Sequence, residues 1–331
     1  MKRYYRPLLH PGAAPLGAQR LAGGWLWFTQ VEERTRKDAR LIPWQAMPSD
    51  MLQALVAPRS DIAGVPMNAP RIMGIVNATP DSFSDGGRYD STDGAVAQGE
   101  KLTQEGADIL DIGGESTRPG ADYVEIDEEI ARTAPAIEQL KSCVPVSIDT
   151  RKAPVGRAAR DAGAAILNDV SGFMHDPEMA ALAAATDMPI CIMHAQGDPK
   201  TMQENPTYED VVLDVYDAFE RQIGMAQSAG IPRRNVIVDP GIGFGKTLEH
   251  NLELLQGLAI FHSLGCPILL GASRKRFIGT LSGVEEPDQR LPGSLAVALA
   301  GVAQGVQILR VHDVAETRQA LALWQASTLG S

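Results

Sequence analysis

Eight short apolar runs recur along this chain of 331 residues, and each of them ends at a polar residue. The runs are rich in Val, Ile and Leu and lack polar alternation, which is typical of parallel strands buried on both faces. Helical stretches separate most of the runs, so the pattern predicts an α/β fold, a (β/α)8 TIM barrel whose chemistry lies at the carboxyl ends of its strands. The polar positions at those ends are Asn77, the segment from Gly114, Asp149, Asn168, His194, Asp239, Ser273 and His312.

The first seventy or so residues do not follow this rhythm. We therefore expect two parts, an N-terminal extension at residues 1–69 and the barrel at residues 70–331. The stretch around Pro58 and Pro66 is typical of a linker. Trp25, Trp27 and Phe28 are too apolar together for a free tail, so the extension is expected to dock on the barrel or at a homodimer contact.

Composition excludes several classes of protein. The formal net charge of -11 argues against a general binder of nucleic acid or anionic membranes. Cys143, Cys191 and Cys266 show no CxxC spacing and are expected to be buried, reduced thiols. The N-terminus lacks the apolar core of a signal peptide, and no apolar run is long enough to span a membrane. These features predict a soluble, cytoplasmic protein.

The segment NATPDSFSDGG follows the first predicted strand and brings Asn77, Asp81 and Asp85 within a few residues of each other. A segment of this composition is often only a turn. Its hard oxygen groups also suit Mg²⁺, which proteins usually hold with one or two side chains plus substrate phosphates. We therefore expect Mg²⁺ as a cofactor at Asn77 and Asp85.

Carboxylates also fall at interior strand positions. Asp111, Asp149 and Asp239, with Asn168, lie at or near predicted strand ends, and carboxylates buried there are costly unless they are paired. They could form a structural ion-pair cluster with Lys275 or Arg310. They could instead bind a ligand edge that offers paired N–H donors, as a carboxylate binds arginine.

Basic residues follow the last two strands. The segment GASRKRF and the pair Arg310 and His312 occupy the region where such barrels commonly bind phosphate. The segment DPGIGFGKT does not match a nucleotide-binding P-loop, because Pro240 stands where that pattern requires glycine. His194 and His312 lack carboxylate companions at the spacing of a zinc site.

Eight motifs in order resemble the dihydropteroate synthase family of pterin-binding barrels. They are MGIVNATPDSFSDGG, DIGGESTRPGA, VSIDTRK, LNDVSG, MHAQGDPKTMQ, VDPGIGFGK, GASRKRFIG and RVHDV, and they cover the chain from about Arg71 onward. The resemblance implies condensation of 6-hydroxymethyl-7,8-dihydropterin diphosphate with p-aminobenzoate, giving 7,8-dihydropteroate and diphosphate.

The resemblance also implies a role for individual positions, with Asp85, Arg118 and Lys275 as catalytic residues. Asn77 and Asp85 would hold the metal, and Asn77, Arg310 and His312 the diphosphate. The pterin would contact Asp111, Asp149, Asn168, Met193, Asp239, Phe244 and Lys275. The p-aminobenzoate would contact Phe83, Thr117, Arg118, Pro119 and Arg276.

Two positions depart from the usual family pattern, Arg276 and also Ala195, where a second methionine is common. Many relatives have serine where this chain has Arg276, which changes the geometry offered to the p-aminobenzoate carboxylate. The alternative function is a non-catalytic pterin-binding paralogue or the pterin domain of a methyl-transfer system. Retention of Asp85, Arg118 and Lys275 favours the synthase, because pterin binding alone needs neither a diphosphate clamp nor an aminobenzoate loop.

Overall fold

A computed structural model of the chain describes residues 2–78, 91–116, 123–197 and 202–329. Eight parallel strands form its main sheet, and each contains apolar residues that are fully buried or nearly so. The strands are β6 (Arg71–Asn77), β7 (Ile109–Gly113), β8 (Val146–Asp149), β9 (Ile166–Asp169), β10 (Ile190–Met193), β11 (Val236–Asp239), β12 (Leu269–Leu270) and β13 (Ile308–Val311).

The sheet closes into the predicted barrel. Its strand order is β11-β10-β9-β8-β7-β6-β13-β12, so the two edge strands are β11 and β12. Val238 of β11 forms a parallel bridge with Ile268, and its amide donates to Pro267 O at 3.0 Å. The predicted seventh strand is shorter than expected and spans only Leu269–Leu270, and the Ile268 amide before it donates to the Gln307 side chain at 2.9 Å.

Helices surround the barrel, and most lie where the sequence predicted them. They are α2 (Ser91–Gln104), α3 (Ile126–Leu140), α4 (Ala153–Ala162), α5 (Glu178–Thr186), α6 (Val211–Ser228), α7 (Leu248–Gly257), α8 (Arg276–Ser282), α9 (Leu291–Val302) and α10 (Val314–Thr328). After α7 the chain continues directly into a 3-10 helix at Leu258–Leu264. The sequence reading missed α5, whose apolar residues show no helical periodicity, and α8, which is only two turns long.

The N-terminal residues form two small antiparallel sheets, a short 3-10 helix at Trp44–Ala46 and one α-helix. A three-stranded sheet has the order β1-β4-β5, and β2 pairs with β3. Phe28, Val31 and Leu55 are fully buried in a core of this region's own. The elements are β1 (Tyr4–Pro7), β2 (Gln19–Arg20), β3 (Trp27–Phe28), β4 (Gln30–Arg34), β5 (Ala39–Pro43) and α1 (Ser49–Val56).

This region contacts the outer wall of the barrel. The Tyr4 ring packs edge-on against Tyr216 of α6 at 5.2 Å between centroids. Arg36 forms an ion pair with Asp214 of α6 at 2.7 Å, and the Trp25 indole donates to Val302 O at 3.1 Å. The charged segment RTRKDAR at residues 34–40 therefore lies against the acidic face of α6.

The stretch predicted to be a linker is instead packed into the barrel. Ile62 and Val65 form an antiparallel bridge, and with Met67 they are buried against the first residues of the strands, such as Met73 and Ile166. These three side chains close the amino-terminal mouth of the barrel. The linker interpretation was wrong because Pro58 and Pro66 flank a tight apolar turn.

The expectation for the cysteines is confirmed only in part. All three cysteines are free, and Cys191 and Cys266 are buried, but Cys143 is exposed because it lies in the turn after α3. Within the part of the chain that the structure describes, no helix is both long enough and apolar enough to cross a bilayer.

Candidate active site

Parallel pairing places the predicted polar residues side by side at the carboxyl ends of the strands. Asn77 of β6 is in register with Gly113 of β7, and Gly113 with Asp149 of β8. Asp149 is in turn in register with Asn168 of β9. Four consecutive strands thus present one row of residues, as expected for the catalytic face of such a barrel.

Arg310 of β13 reaches across the barrel to two of the carboxylates. Its Nε donates to Asp111 Oδ2 at 2.6 Å, and its Nη2 donates to Asp149 Oδ2 at 2.7 Å. Asn168 Nδ2 donates to the same Asp111 oxygen at 3.0 Å. The ion-pair cluster that the sequence left open is therefore present, and Arg310 is its cation.

Each of these carboxylates keeps a second oxygen for another partner. Asp111 is fully buried and Asp149 is 7% exposed. Among the described residues, neither Asp111 Oδ1 nor Asp149 Oδ1 has a hydrogen-bond partner. A buried acceptor of this kind normally has one. Burial, which outweighs the opposing charge of Arg310, raises the pKa of Asp149 to about 7.

Asp239 at the end of β11 begins the glycine-rich turn DPGIGFGK. Its Oδ1 accepts from the Gly241 amide at 2.8 Å, and burial raises the pKa of the carboxyl. Gly241 has a φ of +66°, and a Cβ there would come within 2.0 Å of His194 O. The turn therefore requires glycine to pack against the segment that follows β10.

Lys275 lies opposite Asp239. Its Nζ donates to Ile242 O and lies 4.3 Å from the centre of the Phe244 ring, a cation–π contact. Burial lowers the pKa of Lys275 to about 8, although the charge of Asp239 opposes this. A cation, an aromatic face and a carboxylate thus meet at one end of the barrel.

Arg274, directly before Lys275, has a structural role. It adopts a φ of +58°, which is unusual for a residue with a side chain. Its guanidinium binds Asp313 at 2.5 Å and also contacts Asp288, and these ion pairs raise its pKa. Arg274 therefore stabilises the sharp turn that precedes Lys275.

The remaining described positions lie around this group. Met193 is buried at the end of β10, in register with Asp239. His312 follows β13, and its Nδ1 is 3.0 Å from Ser273 Oγ. Arg276 is the exposed first residue of α8, so its side chain starts at a helix N-terminus.

Several predicted positions lie outside the described residues. Asp85 of the expected metal pair is one of them, as are four of the expected p-aminobenzoate contacts, Phe83, Thr117, Arg118 and Pro119. In the ranges that the structure covers, no group of three His, Cys, Asp or Glu residues is arranged to hold a metal ion. Asn77 is half-buried at the end of β6.

Sequence reasoning did not identify Lys246, which the structure places between Phe244 and His194. This lysine is 3% exposed, and its Nζ lies 3.1 Å from His194 Nδ1 and donates to Phe244 O at 2.9 Å. Burial lowers the pKa of Lys246 to about 7, and burial together with Lys246 lowers that of His194. Lys246 thus joins the Phe244 turn to the segment after β10. The motif VDPGIGFGK contains this lysine, but nothing in the motif indicates that its side chain lies against His194.

Known proteins resemble this chain across the whole barrel. The family model described as pterin binding enzyme matches residues 73–312. The dihydropteroate synthase of Haemophilus influenzae is 47% identical over 264 residues, which are 79% of this chain and 95% of that protein. The corresponding protein of Neisseria meningitidis serogroup B is 48% identical over 266 residues, 78% of this chain and 93% of that protein.

Solved structures agree with these relatives. A Xanthomonas albilineans dihydropteroate synthase with 4-aminobenzoic acid has a TM-score of 0.77 and 47% identity, over 82% of this chain and 98% of its own. A structure of the enzyme from the same organism in complex with 7,8-dihydropteroate has a TM-score of 0.75 and 44% identity, with the same coverage. The chain belongs to the pterin-binding enzymes and, within them, to the dihydropteroate synthases.

Proposed function

We propose that this protein condenses 6-hydroxymethyl-7,8-dihydropterin diphosphate with p-aminobenzoate to give 7,8-dihydropteroate and diphosphate. The observation that carries the proposal is the buried acceptor set at the strand ends. Asp111 and Asp149 each have an oxygen without a partner among the described residues, and Asp239 faces Lys275. An aminopyrimidine edge with adjacent N–H donors fits such acceptors, as a guanidinium does.

The pterin ring would lie between these acceptors and the Phe244 turn. Asp149, Asn168 and Asp239 would accept or donate at the ring edge, with Asp111 and Met193 beside them. Lys275 would donate to a ring acceptor, because a cation held over an aromatic face in a buried site is already oriented for it.

In the reaction, the arylamine nitrogen attacks the methylene carbon of the pterin and the C–O bond to diphosphate breaks. The electron-rich ring stabilises the carbon as the leaving group departs, and the amine loses one proton to the medium. The protein needs to orient the two reactants and stabilise the departing anion, and it needs no nucleophile of its own. Arg310 and His312 would bind that anion, and Arg276 would lie near the carboxylate of p-aminobenzoate.

We also propose Mg²⁺ as the cofactor, held by Asn77 and Asp85. Of this pair, Asn77 lies within the described residues, at the strand end next to Gly113. A site with few protein ligands suits Mg²⁺, which retains waters and binds substrate phosphates. When bound, the ion would neutralise charge on the diphosphate. A homodimer and a cytoplasmic location stay predictions of the sequence.

The decisive experiment measures diphosphate release with both substrates and identifies the product by mass spectrometry. We expect release that depends on p-aminobenzoate, together with formation of 7,8-dihydropteroate. Omission of p-aminobenzoate is the control. Tight pterin binding without release under these conditions would instead favour the non-catalytic paralogue or the methyl-transfer domain.

A further inference from the structure

A buried lysine outside the proposed pterin site contacts both ends of one active-site connection. Lys152 is 2% exposed and lies three residues after Asp149, directly before α4. Its Nζ donates to Glu115 Oε1 at 3.2 Å and to Val124 O at 2.5 Å. Glu115 lies just after β7 and Val124 just before α3, so the lysine joins the two ends of the β7–α3 connection.

Three further contacts reinforce this junction. The Val124 amide donates to Glu115 Oε1 at 3.0 Å, so the two ends also bind each other directly. Tyr123 places its ring 4.1 Å from Lys152 Nζ. Glu115 Oε2 accepts from Arg151 Nε at 3.1 Å, which ties the first end to the segment after β8.

Lys152 is also paired with the helix that follows the connection. Its Nζ donates to Glu129 Oε2 of α3 at 2.7 Å, and Glu129 is fully buried. An ion pair with Glu129 alone would be enough to neutralise this lysine. The additional contacts to Glu115, Val124 and Tyr123 all lie at the ends of the connection, which a purely structural ion pair would not require.

We propose that Lys152 is a positioning residue for the p-aminobenzoate substrate. It holds the two ends of the β7–α3 connection together and fixes them to the end of β8, the strand that carries Asp149. This inference rests on the proposed function, in which Thr117, Arg118 and Pro119 of the same connection contact p-aminobenzoate. Small displacements of positioning groups strongly reduce reaction rates.

The test compares Lys152→Met with Lys101→Met, a matched change at a lysine whose side chain is 73% exposed. We expect Lys152→Met to raise the KM for p-aminobenzoate about tenfold or more. The Kd of a pterin, measured by calorimetry, should stay within about twofold, because Asp149 and Asp239 are retained. Lys152→Arg should recover part of the lost affinity.

A second variant guards against a folding defect. Lys152→Met combined with Glu129→Met removes both partners of the buried ion pair, which is better tolerated than removal of one. The double variant should show the same rise in KM, and Glu129→Gln alone should show little. An unchanged KM in the folded double variant, or an equal loss of affinity for pterin and p-aminobenzoate, would overturn the proposal.

Hydrogen exchange separates this inference from the proposed function. The Val124 amide, bonded to Glu115, should exchange faster in Lys152→Met than in Lys101→Met. If the unmodified protein formed no dihydropteroate, the proposed function would be wrong. If the Val124 amide were equally protected from exchange in both variants, the junction at Lys152 would be wrong, whatever the activity.

Discussion

Replacing Arg310 with methionine tests whether two buried carboxylates share one cation. The guanidinium lies 2.6 Å from Asp111 and 2.7 Å from Asp149, and both carboxylates are shielded from water. Removing one partner of a buried ion pair typically costs about 3–5 kcal/mol, compared with about 0–1 kcal/mol for a surface pair. We therefore expect Arg310→Met to lower the free energy of unfolding by about 3–5 kcal/mol at pH 8.

The sign of the pH dependence follows from Asp149. Its folded pKa of about 7 lies above the usual value because of burial, and Arg310 is the group that opposes this rise. Without Arg310 the pKa rises further. A carboxyl with a raised folded pKa binds its proton more tightly in the folded state, so stability is retained at low pH and lost as pH rises through that pKa. The deficit of the variant should therefore be smaller at pH 6 than at pH 8.

Urea unfolding at both pH values measures this deficit, and Arg160→Met, at an exposed ion pair, is the control. We expect the control to change stability by less than about 1 kcal/mol at either pH. A loss below about 1 kcal/mol for Arg310→Met at pH 8, or an equal loss at both pH values, would refute the shared-cation reasoning.

Four other changes test separate parts of the site and the fold. Asp149→Asn should weaken pterin binding about tenfold or more in calorimetry, because an amide donor replaces an acceptor oxygen; equal affinity would place the pterin elsewhere. Arg276→Ala should raise the KM for p-aminobenzoate and leave that for the pterin diphosphate unaltered, whereas a matching loss for both would assign Arg276 to another role. Asp85→Ala should abolish most turnover at any Mg²⁺ concentration while pterin still binds, and full turnover would remove Asp85 from the metal site. Deletion of residues 1–57, which keeps the apolar turn at Ile62 and Val65, should lower the melting temperature without changing either KM; altered KM values at equal stability would place the extension in the active site.

The strand ends could be predicted because each depends on a local pattern. An apolar run of a few residues followed by Asn77, Asp149 or Asp239 marks both the strand and the face at which it ends. The positions of α5 and the turn at Ile62 had no such pattern. The residues Glu178–Thr186 are almost uniformly apolar, and the apolar turn lies between prolines that usually indicate a linker.

Contacts between distant segments could not be predicted in the same way. Lys152, Glu115 and Glu129 are separated by 14 to 37 residues, and their ion pairs form only because α3 packs beside α4. The motifs GESTR and DTRK contained two of these residues, but nothing in either motif indicates the other. Long side chains are placed by packing, which local sequence does not encode.

Arg310 has enough hydrogen-bond donors for both of the roles that the sequence left open. The sequence left two roles open, a structural ion pair with the interior carboxylates and a contact to diphosphate. A guanidinium has five N–H donors, and the pairs with Asp111 and Asp149 use only two of its nitrogens, Nε and Nη2. The remaining donors can bind an anion while both pairs persist. The carboxylates in turn bind Arg310 through Oδ2 and keep Oδ1 for a ring edge. One cation with this geometry can therefore neutralise the buried carboxylates and, under the proposed function, also bind the leaving group.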